Sequence, residues 1–189
     1  MRACALLVLG SLLWAPSVGR ADFGDDEPLP APSFRLGYTG GLGFIVGDAD
    51  AATASGETTP LYEVGLGLEL RAGIQFTEWL ALDVELLAET FLFVGAARAA
   101  ASVEVAPHRH FAMTFGAGVG SMYIANFLVK SPSADYATGI FRALVRLRDG
   151  DHDLVFVLEG QLGQTFAGDV PNGTWVGGGR FAFGILTWL

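Results

Sequence analysis

Residues 62–76 read YEVGLGLELRAGIQF, and this stretch decides the fold. From Tyr62 to Phe76 every second residue is apolar, whereas the intervening residues are Gly, Glu, Arg or Gln. Successive side chains of a β-strand point to opposite faces, so a period of two predicts a strand with one apolar and one polar face.

The same alternation recurs along the chain from Phe34 onward. It predicts eight strands, at 34–46, 62–76, 80–88, 98–105, 111–123, 141–147, 154–163 and 175–189. Helix is an alternative for the Ala-rich piece at 98–105. Longer connections are expected at 48–60, 126–135 and 166–174, and shorter ones near Thr77, Pro107 and Gly150. The connection within 90–97 is apolar, and the pattern does not fix its boundaries.

The N-terminus has the composition of a secretory signal peptide. Arg2 precedes an apolar stretch, Ala5 to Trp14, and small residues lead up to Ala21. The apolar stretch is too short for a membrane-spanning helix, which needs about 20 residues. The predicted organisation is therefore a signal peptide at 1–21, an acidic, Pro-rich flexible leader at 22–32 and a barrel domain at 33–189.

Cleavage after Ala21 would change both charge and cysteine content. The only cysteine, Cys4, lies in the removed segment, so the mature chain has no thiol. The segment also carries Arg2 and Arg20 and no acid. The formal charge of −9 therefore becomes −11, from 9 basic and 20 acidic residues. Such a surface repels phosphate backbones, and no nucleic-acid partner is expected.

Alternation alone leaves two kinds of barrel open, a soluble lipocalin-like barrel and a transmembrane barrel. Charged residues and glycines crowd one face, whereas large apolar residues crowd the other. A narrow eight-stranded membrane barrel suits small and mutually paired charged residues inside. The alternation also persists for about 10 residues or more, as a tilted membrane crossing requires. Aromatic residues near strand ends fit interfacial girdles, at Phe34, Phe44, Tyr62, Phe76, Trp79, Phe111, Tyr123, Tyr136, Trp175 and Trp188. These features favour the membrane barrel.

The pattern from Phe34 to Leu189 resembles the small eight-stranded outer-membrane proteins, the transmembrane domains of the outer membrane protein A and X type. Residues 179–189 also look like the C-terminal assembly signal of that class, although the chain ends in Leu189 instead of Phe. The resemblance implies an all-β, up-and-down antiparallel transmembrane barrel in the outer membrane of a diderm bacterium. Its implied partners are outer-membrane lipids and the outer-membrane assembly machinery.

Histidines are the candidates for catalysis or metal binding. Some barrels of this kind modify lipid A with a His, a Ser and an acid near the outer leaflet. Here His108, His110 and His152 fall in short turns expected to face the periplasm, without a neighbouring His-x-Ser arrangement. His108 and His110 lack the spacing of a four-ligand metal site. The sequence therefore predicts no catalytic, metal or cofactor-binding residue.

Charged residues on the polar face form the one constellation with a physical consequence. They are either a gated ion path or a salt-bridged plug, and the plug is favoured because eight strands leave room only for side chains. The predicted interior network consists of Arg35, Glu63, Glu69, Arg71, Asp83, Glu85, Glu89, Arg98, Glu104, Arg142, Arg146, Glu159 and Arg180.

These observations predict a non-enzymatic outer-membrane barrel with a structural or surface-interaction role. A lipid A-modifying outer-membrane enzyme and a soluble periplasmic lipocalin-like binder are the alternatives. The sequence names no extracellular partner.

Overall fold

The computed structural model describes residues 32–48, 60–92, 94–124, 133–149 and 152–189. Eight strands follow one another in the chain, namely β1 (Ser33–Asp48), β2 (Pro60–Thr77), β3 (Leu80–Phe91), β4 (Val94–His108), β5 (Phe111–Ile124), β6 (Ser133–Asp149), β7 (His152–Gly168) and β8 (Trp175–Trp188). The predicted signal peptide and all of the predicted leader except Pro32 lie outside the described residues. No helix in the described ranges is long and apolar enough to cross a membrane.

The strands form a closed antiparallel barrel in which each strand pairs with its neighbours in sequence. β1 closes the barrel by pairing with β8 as well as with β2, so that Thr39 lies opposite both Glu69 and Gly184. The predicted fold class and strand number are therefore confirmed. β4 is a strand along its whole length, which excludes the helical alternative.

Close backbone approach explains a glycine at the closing seam. A Cβ atom placed on Gly184 would lie 1.9 Å from the carbonyl oxygen of Tyr38, which no side chain can accommodate without movement of the backbone. Gly160, on β7, would meet nothing within 4 Å. The glycine at 184 therefore permits the close pairing of β1 and β8.

Several predicted connections were too long. β6 begins at Ser133, inside the loop expected at 126–135, and β7 continues to Gly168, inside the loop expected at 166–174. Only Leu92 and Phe93 separate β3 from β4, although the pattern left 90–97 unplaced. His108 and His152 are strand ends, whereas His110 lies in a turn. The strands extend beyond the apolar belt, and their ends consist mainly of charged, small and polar residues. The apolar alternation therefore stops before the strand does, and the connection is predicted too long.

The two ends of the barrel differ. The turn end carries the first residue of β1, the last residue of β8 and the tight turns at Glu78–Trp79 and Arg109–His110. The loop end carries the connections after β1, β3, β5 and β7. The connection between β7 and β8 turns at two glycines with positive φ, Gly168 at 108° and Gly173 at 83°.

The two faces of the wall have opposite chemistry. On β3, outward Val84 and Leu86 are 60% and 61% exposed, whereas inward Asp83 and Glu85 are 1% and 3% exposed. Large apolar side chains are similarly exposed on every strand. Two aromatic residues depart from the girdle expectation, because Tyr136 and Trp188 are buried in the lumen. Their position in the alternation places them on the inner face.

Candidate functional site: the lumen

Charged side chains at the inward-facing positions of the strands meet in the lumen. Among the described residues, six arginines and seven carboxylates are buried: Arg35, Arg71, Arg98, Arg142, Arg146 and Arg180, with Glu69, Asp83, Glu85, Glu89, Glu104, Asp153 and Glu159. They come from β1 to β4 and from β6 to β8. β5 instead presents Thr114 and closely packed glycines to the lumen. The small residues of β5 leave space for the long side chains opposite.

The charges nearest the turn end form one group around Arg35. Its Nε donates to Asp83 Oδ1 at 2.9 Å, and its Nη1 donates to Glu104 Oε1 at 2.7 Å. Arg146 also pairs with Glu104. The ring of Trp188 covers the Arg35 guanidinium, with its centroid 5.5 Å from Cζ. Arg35 thus gains two carboxylates and a cation–π contact while it is fully buried.

A second group in the middle of the barrel centres on Arg142. Its Nε donates to Glu159 Oε2 at 2.6 Å, its Nη2 donates to Glu69 Oε2 at 3.1 Å, and its Nη1 pairs with Glu85. Arg180 reaches the same two carboxylates, Glu69 and Glu159. Two of these contacts, Arg142 with Glu159 and Arg180 with Glu159, join paired strands. The other three, which end at Glu69 or Glu85, cross the lumen between strands that are not neighbours.

Arg71 and Arg98 extend the network beyond these groups. Nη2 of Arg71 lies 3.1 Å from Glu69 Oε1, and its Nη1 lies 3.6 Å from Glu104 Oε2, so Arg71 joins the two groups. Nearer the loop end, Arg98 pairs with Glu159 at 2.8 Å and donates to Gln161. The result is one continuous set of ion pairs along the barrel axis.

Apolar side chains close off the lumen beside this network. The loop-end cluster consists of Ile45, Phe91, Val94, Ala96, Met122, Ala134, Tyr136, Val170 and Val176. The turn-end cluster consists of Ala106, Ala112, Leu144, Val155, Val157, Ala182, Leu186 and Trp188. The clusters exclude water from the ends of the network, where it would weaken the ion pairs.

The connection between β7 and β8 contributes directly to the loop-end cluster. Val170 is 7% exposed, although it lies in a surface loop. Hydrogen bonds hold the loop in place, because Thr165 Oγ1 donates to Pro171 O at 2.6 Å and the backbone N–H of Ser133 donates to Asp169 Oδ2 at 3.1 Å. This loop therefore folds over the mouth of the barrel.

Three further carboxylates need separate mention, two of them predicted members of the network and one not predicted. Glu63 is only half-buried, near the loop end, and Glu89 is buried without any of the ion pairs described above. Asp153 was missed because the predicted strand began at residue 154, yet Asp153 is fully buried in β7. Asp153 is separated from Glu159 by an even number of positions, and this spacing indicated that both side chains point into the lumen. Val155 and Val157 obscured that signal because they are apolar on the inner face.

All three histidines lie at the turn end of the barrel, but their side chains make separate contacts. His110 Nδ1 is 3.2 Å from the carbonyl oxygen of Arg146, and His152 Nδ1 is 3.1 Å from Thr187 Oγ1. His108 Nδ1 accepts a hydrogen bond from the His110 backbone N–H. None of the described histidine contacts involves a Ser or a carboxylate. Within the described ranges, no three His, Cys, Asp or Glu residues group as a metal site.

Ion pairing is the main chemical feature of the lumen. A buried arginine is costly unless carboxylates surround it, and here each buried guanidinium described above has at least one carboxylate partner. These partners are other lumen side chains, so the ion pairs link strands of the barrel to one another through its interior.

Comparison with known proteins supports the fold. No protein-family model matches the chain, and no curated protein matches it. Among solved structures, Neisserial surface protein A (NspA) has 10% sequence identity and a TM-score of 0.53, covering 82% of this chain and 96% of that chain. Ail, the attachment invasion locus protein of Yersinia pestis, has 11% identity and a TM-score of 0.47, covering 83% and 99%. The chain therefore has the fold of a small eight-stranded outer-membrane barrel, as its sequence pattern predicted.

Proposed function

We propose that this chain is a non-enzymatic outer-membrane β-barrel of a diderm bacterium, with a structural or surface-interaction role. The observation that carries the proposal is the distribution of polarity across the wall. Large apolar side chains such as Leu158, which is 63% exposed, cover the outside, whereas arginines and carboxylates fill the inside. A soluble lipocalin-like barrel would need the reverse arrangement, because its outer face meets water.

Lipid and the assembly machinery of the outer membrane are then the expected partners. Within the described part of the chain, the connection between β7 and β8 is a feature of the loop end that a surface partner could contact. Hydrogen bonds hold this connection over the mouth, with Pro171, Asn172 and Gly173 exposed. A fixed loop meets a partner with little further loss of conformational entropy.

Membrane insertion tests this proposal. The chain without residues 1–21 is refolded into lipid vesicles and analysed on gels with and without heating, together with protease digestion. We expect a band that shifts on heating and a barrel core that resists protease. Leu158→Glu should reduce insertion, whereas Asn172→Glu in the exposed loop should not. A wild-type chain that stays soluble without detergent or lipid, with an unshifted band, would contradict the proposal.

A lipid A-modifying enzyme is the competing function. Its catalytic group would have to lie at the outer leaflet, whereas the described histidines are at the turn end with the termini of the barrel. Mass spectra of lipid A from cells with and without the protein should therefore be identical. A mass difference that disappears with His152→Ala would establish the enzyme instead.

A further inference from the structure

A groove of about 590 Å³ indents the outward face of the barrel wall. Small residues form its floor, including Ala88, Ala97 and Ala99. Leu68, Leu70 and Leu86 form one side, and Phe166 lies at the other. Its volume falls within the range of about 300–1,000 Å³ that is typical of ligand sites.

Strand register explains why the groove forms. Ala88 lies opposite Leu68 on one side and Ala97 on the other, and Ala97 lies opposite Ser121. In this row across the wall, a leucine on β2 is followed by small side chains on β3, β4 and β5. The outer surface is therefore lower over these three strands than over β2. On the far side, a register irregularity pairs Asp135 with Ala167 and Tyr136 with Thr165, leaving Phe166 as an extra outward residue. Bulges of this type redirect side chains, and this one turns an aromatic ring toward the groove.

A carboxylate lies at the loop-end limit of this apolar groove. Ser121 Oγ donates a hydrogen bond to Asp135 Oδ1 at 2.5 Å, and both residues line the groove on the outer face. Ser121 is three residues from the end of β5, and Asp135 is two residues from the start of β6. At about 3.3 Å per residue, this places the pair within roughly 10 Å of the strand ends, where lipid headgroups meet a barrel.

We infer that the groove holds one acyl chain of a lipid whose headgroup carries an ammonium group, which donates to Asp135. The inference rests on the proposed membrane location. Apolar walls match a hydrocarbon chain, and a carboxylate beside a hydroxyl matches a cationic hydrogen-bond donor. Among the residues that the structure describes, the only basic one lining the groove is Arg98, whose side chain turns into the lumen to reach Glu159. A second copy docked through the same face would bring two Asp135 carboxylates together without a cation between them.

Native mass spectrometry of the refolded protein tests this inference. The mature chain is released from vesicles containing equal amounts of phosphatidylethanolamine and phosphatidylglycerol with identical acyl chains. We expect the wild-type protein to retain one phosphatidylethanolamine. Ala99→Phe fills the groove and should abolish retention, and Ala97→Leu should weaken it. Ala72→Phe is the control, because Ala72 is an outward β2 residue that does not line the groove.

The headgroup contact is tested separately by Asp135→Asn. This variant should still retain a lipid, but its preference for phosphatidylethanolamine should fall about tenfold, as expected when one charge-assisted hydrogen bond is lost. An unchanged preference would overturn the headgroup contact. Equal retention by wild type and Ala99→Phe would overturn the groove, as would a dimer that Ala99→Phe dissociates.

Insertion of each sample is measured in parallel by heat-dependent gel mobility and protease protection. If the wild-type protein inserts but retains no lipid, the groove inference fails and the proposed function stands. If it does not insert, the proposed function fails, and the inference that rests on it fails too.

Discussion

Arg142 donates from Nε to Oε2 of Glu159 at 2.6 Å, across the pairing of β6 with β7 in which these two residues lie directly opposite each other. Arg142 is fully buried, and it also pairs with Glu69 and Glu85. Removing it would leave three buried carboxylates, Glu69, Glu85 and Glu159, short of a counter-charge.

Arg142→Met should therefore destabilise the barrel by about 3–5 kcal/mol, the penalty of breaking a buried ion pair. Urea unfolding of the vesicle-inserted protein measures this change. Arg109→Met, in an exposed turn, is the matched control and should alter stability by no more than about 1 kcal/mol, the upper value for an exposed ion pair. Equal stability of the two variants would show that the lumen carboxylates do not depend on Arg142.

Trp188 is expected to stabilise the turn end through its contact with Arg35. Its ring covers the guanidinium and belongs to the turn-end apolar cluster. Trp188→Ala should lower the free energy of unfolding by about 3–5 kcal/mol, and Trp188→Phe should lower it less. Leu189→Ala, at a neighbouring residue that is 70% exposed, is the control. The role assigned to Trp188 would be wrong if its two variants lost no more stability than the Leu189 variant.

The seam between β1 and β8 should be sensitive to a single methyl group. Gly184→Ala forces a Cβ against the Tyr38 carbonyl oxygen, so it should cost about 1–3 kcal/mol of stability. Gly160→Ala has open space around it and should be neutral or stabilising by about 0.4–1 kcal/mol. Unfolding curves of the two variants provide the comparison. Indistinguishable curves would mean that the seam is looser than its geometry indicates.

The filled lumen should not conduct ions. Planar-bilayer recordings of the wild-type protein are expected to show no steady open-channel current, because paired charges and two apolar clusters occupy the interior. Val170→Gly opens only the loop-end cluster and should leave the protein non-conducting. Stable unitary currents in the wild type that change with Arg71→Gln would identify an ion path.

The fold could be predicted from the sequence because the alternation of apolar and polar residues within each strand shows which residues face outward and which face inward. In β2, the alternation of Leu68, Glu69, Leu70 and Arg71 specifies which side chain points inward. Strand number, topology and the polarity of both faces follow from repeating that pattern, since antiparallel neighbours need only short connections.

Pairing inside the lumen could not be read in the same way. Arg180 reaches Glu69, which lies 111 positions earlier in the chain, because the stagger of the closed sheet brings them to one level. The apolar part of the lumen could not be recognised from hydrophobicity either. Leu144 and Val157 occupy inner positions, but their hydrophobicity resembles that of the outer face. At such positions, the place of a residue in the alternation predicts its orientation better than its hydrophobicity does.

The central claim is that the apolar outer belt contacts lipid. A nitroxide spin label on Leu158→Cys measures this most directly in vesicles, because the only native cysteine, Cys4, is absent from the chain without residues 1–21. Relaxation of the label by oxygen, which concentrates in hydrocarbon, is compared with relaxation by a water-soluble nickel chelate. Asn172→Cys, in the exposed loop, is the control and should respond chiefly to nickel. The account predicts that the label at 158 responds strongly to oxygen and weakly to nickel. A label at 158 as accessible to nickel as the one at 172 would contradict it.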